Sequence, residues 1–135
     1  MNIREILNAI KPYVLGWISA SGIWTPGYTG FSVNPTPSEA IFIALPQLCF
    51  IHLRHSSAGT SNATSFTITG LPIPVKAGVT PNCHAAYAMD NSAALTGPVR
   101  VSPSGTTLTL FKDAASGAWT ASGSKYADID IWYPI

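Results

Sequence analysis

Short runs of apolar and alternating residues, separated by turn residues, recur along this chain. The clearest run lies near its C-terminal end, where Ala127, Ile129, Ile131 and Tyr133 alternate with Asp128, Asp130 and Trp132. On a strand, that period sends one set inward and the other outward. Ser122, Gly123 and Ser124 ahead of the run are turn chemistry, because glycine reaches backbone angles that other residues avoid. Comparable patterns predict strands over residues 40–45, 48–55, 64–69, 83–89, 98–101 and 106–111. Within 48–55, Cys49, Ile51 and Leu53 share one face, and Leu48, Phe50, His52 and Arg54 share the other. Both faces are largely apolar, so this strand is expected to be central and packed on both sides. Residues 16–37 read as a connector that becomes the first strand, and Asn34-Pro35-Thr36-Pro37 as a rigid turn. Residues 56–63, 70–81, 90–97 and 112–117 read as loops, the second because it holds three prolines and two glycines. About seven to nine short strands with a turn signal every ~8–12 residues predict an all-β chain: an antiparallel, jelly-roll-like β-sandwich.

The N-terminal stretch has a different period. Residues 2–11 predict a short helix, with Asn2 as its cap and Glu5 three residues later completing a capping box. Ile3, Ile6, Ile10, Tyr13 and Trp17 follow alternating spacings of three and four, the seam of a coiled coil. Isoleucine at both seam positions favours more than two strands. Pro12 limits the helix to about three turns, too few to stand alone in water. The seam therefore calls for partners. Residues 1–15 are expected to be a trimerisation or anchoring peg, and residues 16–135 a β-sandwich head.

Composition sharpens this picture. A chain of 135 residues is one domain with a single core. Its charged fraction is 10%, against roughly 25% in ordinary soluble domains. So sparsely charged a surface is expected to be covered, by copies of the same chain or by a larger assembly. The net charge of +1 offers no footprint for nucleic acid, and the seven Lys and Arg are scattered. No run of about 18 apolar residues is present, so membrane insertion is not expected. Arg4, Glu5, Asn8 and Lys11 interrupt any signal-peptide core. In that context Cys49 and Cys83 read as two buried free thiols rather than a disulfide.

Candidate chemistry is sparse. Asp128 and Asp130 lie two apart on one strand, with backbones about 7 Å apart, within the reach of a glycosidase pair. A catalytic pair normally comes from separate elements across a cleft, so the two carboxylates are expected to be the solvated side of a strand. His52 and His55 fall on opposite faces of a regular strand and do not chelate. A zinc site would need four ligands gathered from three segments. Neither a Gly-x-Ser-x-Gly elbow nor a phosphate-binding glycine loop is present. No enzyme activity, metal or cofactor is expected. The aromatic residues are the candidates for binding. Trp132 shares a face with Asp128 and Asp130, and Tyr126 lies on the same strand. A Trp ring beside carboxylates suits a sugar, and Trp and Tyr are equally frequent anchors of subunit interfaces.

Four stretches resemble one family. They are Gly16-Trp17-Ile18-Ser19-Ala20-Ser21-Gly22-Ile23-Trp24-Thr25-Pro26; residues 58–64 (AGTSNAT) followed by 67–72 (TITGLP); residues 106–111 (TTLTLF); and residues 119–125 (WTASGSK) leading into the terminal strand. In this order they resemble small tailed-bacteriophage virion proteins, over roughly residues 16–135. The resemblance implies a jelly-roll-like homotrimer on the virion surface, made in the host cytoplasm. Such a module is a tail-fibre or spike head that contacts the host, or a capsid decoration. Its implied partners are copies of itself, other virion proteins through the N-terminal helix, and a host-surface glycan or protein. No catalytic motif comes with the resemblance, and only the short helix stands where long fibres have a shaft. The competing expectation is a carbohydrate-binding module of non-viral origin.

Overall fold

The computed structural model describes residues 2–6, 18–79, 83–85 (backbone) and 87–135. Twelve strands are present among them: β1 (Ala20–Ile23), β2 (Gly27–Thr29), β3 (Thr36–Ala44), β4 (Leu48–Ser57), β5 (Gly59–Thr60), β6 (Phe66–Thr69), β7 (Cys83–Ala85), β8 (Tyr87–Asp90), β9 (Ala93–Ala94), β10 (Val99–Ser104), β11 (Thr107–Phe111) and β12 (Ser124–Pro134). The larger sheet runs β1-β3-β4-β12-β8-β9, with β5 also on β12; the smaller runs β2-β6-β11-β10-β7. Their pairings are antiparallel, and the two sheets pack face to face as an all-β sandwich.

The core follows from the alternation. Cys49, Ile51 and Leu53 of β4 and Ala127, Ile129, Ile131 and Tyr133 of β12 are buried from the larger sheet. Phe66 and Ile68, Leu108 and Leu110, and Val99 and Val101 meet them from the smaller. The threonines between them on β6 and β11 face outward, and Thr29 and Thr67 pair their hydroxyls across β2 and β6 at 2.6 Å. Loop residues seal the ends. The indole of Trp119 donates to the carbonyl of Leu110 (2.9 Å), and the hydroxyl of Tyr133 donates to that of Ile73 (2.9 Å). Gly30 has φ +85°, and a Cβ there would stand 2.5 Å from the carbonyl oxygen of Ser65. Only glycine lets β2 turn so close to the start of β6.

Several boundaries depart from the expected ones. Strand β3 begins at Thr36 and runs through Pro37, where a turn is expected. Its ladder with β4 shifts register between Thr36 and Pro37 and again between Pro37 and Glu39, because proline has no N–H to contribute. The stretch predicted as one strand over 83–89 is two: β7 pairs β10 in the smaller sheet and β8 pairs β12 in the larger. Small and apolar residues run through both, and such a run does not signal a change of sheet. Asn91 (φ 50°) and Ser92 (φ 66°) then form a two-residue turn into β9, the geometry that matches strand twist. Strand β4 is central, but it is packed on both sides only in part. Its outer face leaves Leu48 exposed and Phe50, His52 and Arg54 half-buried.

At the N-terminus residues 3–6 are helical. The capping box closes as expected: Glu5 N–H donates to Asn2 Oδ1 (3.0 Å) and Asn2 N–H to Glu5 Oε2 (2.8 Å). Ile3 and Ile6 are exposed. Ile10, Tyr13 and Trp17, and the rest of the predicted helix, lie outside the described residues.

Ile129 is fully buried between the sheets. Ile129→Ala is expected to lower unfolding stability by about 2–5 kcal/mol, read from the urea midpoint at unchanged slope.

Candidate functional site

Burying Ile129, Ile131 and Tyr133 forces Asp128, Asp130 and Trp132 onto the outer face of β12. Register then extends each position across the sheet. Trp132 stands beside Phe50, and Phe50 beside Ile43. Asp130 stands beside His52, His52 beside Ile41, and Ile41 beside Ile23. Glu39 stands beside Arg54 in the next row, and Asp128 beside Tyr87. The face thus has an apolar half and a charged half. In the apolar half Trp132 is 49% exposed and Ile23 85%. Leu48 and Ile41 are exposed too, and Phe50 and Ile43 half-buried. The Phe50 and Trp132 rings lie 5.0 Å apart. Beyond the charges, Tyr87 and Tyr126 form a second ring pair at 5.8 Å.

The charged half corrects one expectation. Asp128 and Asp130 are not a freely solvated pair; each is tied to cationic or imidazole partners from β4. Asp128 Oδ2 accepts from Arg54 Nη1 at 3.4 Å, and Asp130 Oδ2 from Arg54 Nη2 at 3.4 Å. His52 Nδ1–H donates to Asp130 Oδ1, and His52 Nε2–H to Glu39 Oε2 at 3.2 Å. Asp128 has a second task. The β4–β12 ladder ends at the pair Leu53 and Ile129. Two residues further on, the amide N–H of His55 donates instead to Asp128 Oδ1 at 3.0 Å. The carboxylate stands in for a strand carbonyl where the two chains part, which explains why Asp128 is buried. Alternation names the face of a carboxylate but not the strand it will lie against, so these partners are not legible from β12 alone.

The two histidines are shifted in opposite directions. Both ring nitrogens of His52 face carboxylates, which only accept, so this setting favours the imidazolium form. The bond to Asp130, with Glu39 assisting, raises its pKa above 6.5. His55 is different. Its Nδ1–H donates to Asp128 Oδ1 (3.1 Å), and its Nε2 accepts from the hydroxyl of Tyr28 (2.8 Å). Its side chain is 1% exposed. Burial pushes its pKa down, more than Asp128 raises it, so the ring stays neutral. Burial also pushes the Tyr28 hydroxyl far above the usual phenol range, with Asp128 adding to it. The acid, imidazole and hydroxyl are ordered as in a hydrolytic relay. Here they join β12 and β4 of the larger sheet to β2 of the smaller, and the expected opposition of His52 and His55 is resolved into two bridges sharing Arg54.

A second buried cluster surrounds Lys125, a residue without a motif to mark it. Lys125 is fully buried, and its ammonium donates to the carbonyls of Ser122 (2.7 Å) and Ser61 (3.2 Å). Asp90 lies 3.9 Å from it and accepts from Lys112 (2.8 Å) and the Thr120 hydroxyl (2.8 Å). Burial would raise the Asp90 pKa, but Lys112 and Thr120 outweigh it and hold the pKa below the usual carboxylate range. Burial lowers that of Lys125, against the pull of Asp90. The signal was present: Lys125 is in phase with Ala127 and Ile129. Among the described residues no group of three or more His, Cys, Asp or Glu is placed to hold a metal ion, and no helix is long and apolar enough to cross a membrane.

Linkage gives the two histidines opposite pH signatures. His52, with a raised folded pKa, stabilises the fold below the ordinary histidine value, and that contribution is lost as pH rises through its folded pKa. His55, with a lowered one, makes stability fall as pH drops below the ordinary value, because the unfolded chain takes the proton first. Urea midpoints between about pH 5 and about pH 8 are expected to peak near the middle of that window. His52→Gln removes the alkaline slope and His55→Gln the acid one.

Compared with known proteins, this sequence matches no family model and no curated protein.

Proposed function

We propose that this chain is a non-enzymatic structural module of a bacteriophage particle, a homotrimer of β-sandwich heads joined through their N-terminal helices. It works by assembly and adhesion on the virion surface, as a tail-fibre or spike head or as a capsid decoration. Ile3 and Ile6 carry this reading: they are 77% and 43% exposed on a capped helical turn ahead of a closed sandwich. An apolar seam without cover is stable only against a partner. The 10% charged fraction points the same way, as does the resemblance of residues 16–135 to virion proteins.

Mass photometry of the full chain at micromolar concentration is expected to give the mass of three chains. Removing residues 1–15 is expected to weaken assembly while the far-UV spectrum of the head is kept. A monomeric full chain sinks this reading.

A second reading rests on Trp132, a half-exposed indole whose ring lies 5.0 Å from that of Phe50 at a tilt of 43°, in the row next to Asp130. An aromatic ring beside hydrogen-bonding carboxylates suits a pyranose. A carbohydrate-binding module would give glycan-array hits that disappear in Trp132→Ala; an array without hits counts against it.

A further inference from the structure

The outer face of the larger sheet joins two features that are rarely combined on a free surface. Its apolar half is contiguous, because the residues occupy adjacent register positions on four neighbouring strands. Its charged half is already paired within the chain. Glu39, Asp128 and Asp130 stand against Arg54 and His52.

Identical copies bring identical charges. A face with unpaired charges of one sign cannot be buried against its own kind, because the like charges repel and lose water without compensation. A foreign partner would be matched by unpaired charges of complementary sign, and on this face Glu39, Asp128 and Asp130 already have His52 or Arg54 as partners. The apolar half crosses four strands, β1, β3, β4 and β12, about 14 Å between the outermost at ~4.8 Å spacing. A shallow cleft of about 210 Å³ lies at its rim, lined by Ile23, Trp24, Pro26, Pro37 and Glu39 among others, with room for a side chain from the apposed copy.

We infer that the outer face of the larger sheet is the surface through which copies of this chain meet, with Trp132, Phe50, Ile43, Ile41, Ile23 and Leu48 at its buried centre. This rests on the self-assembly reading above and adds a location to it. The face turns toward the symmetry axis, and each copy shares it with its neighbours.

The test uses the full chain and two charge insertions, Ile23→Lys and Trp132→Lys. Both positions are exposed, so neither substitution opens the core. Each is expected to raise the concentration for half-assembly at least about tenfold, by sedimentation velocity, with melting temperature and far-UV spectrum kept. If the full chain and both variants assemble alike while the chain without residues 1–15 is monomeric, the face is not the interface and the self-assembly reading stands. If the full chain itself is monomeric, that reading falls and the inference with it. If Trp132→Lys abolishes glycan binding and leaves assembly unchanged, the face is a sugar site and the inference is overturned.

Discussion

One strand with a strict period of two sets the terms for this molecule. Strand β12 must bury Ala127, Ile129, Ile131 and Tyr133 to complete the core, and in doing so it must present Asp128, Asp130 and Trp132 on the other side. The same strand changes partners midway. Its first half pairs with β8 and β5, its second with β4. At the junction a ladder hydrogen bond would be lost. The Asp128 carboxylate replaces it and then draws His55 and Arg54 around itself. The polar cluster is therefore a product of how the sheet is assembled.

That origin explains the electrostatics. Charged residues are few, and those on the outer face of the larger sheet serve one another. Arg54 spans both carboxylates, His52 bridges Asp130 to Glu39, and His55 carries the connection inward to Tyr28. Two histidines three residues apart are shifted in opposite directions because one ring lies between acceptors near the surface and the other is sealed between an acceptor and a phenol. The buried Lys125 follows the same economy, with backbone carbonyls as its main partners.

The sandwich itself was legible wherever alternation was uninterrupted. Strands β4, β6, β11 and β12 could be read from residues such as Cys49, Ile51, Leu108 and Ile129, because inward positions need apolar side chains whatever the topology. Partnership was not legible. Nothing in residues 83–89 marks the passage from one sheet to the other, and Asn91-Ser92 lacks the glycine that usually announces a tight hairpin. Asn34-Pro35-Thr36-Pro37 carries the composition of a rigid turn, although the end of a ladder tolerates Pro37 at a register shift. The face holding Trp132, Asp128 and Asp130 was identified correctly as a face. Its partners, His52, Arg54 and Glu39, come from strands more than 70 residues away in sequence or beyond them, and only register brings them together.

The thiol of Cys49 bears on where such a molecule can live. It is fully buried, free, and held above the ordinary thiol range by burial. Thiolate is the species that oxidises and exchanges, so this sulfur is chemically quiet, and it closes no covalent loop on which the core relies. At this position the packing around the sulfur is the same whether the surroundings are reducing or oxidising, because no bond there waits to be made or broken.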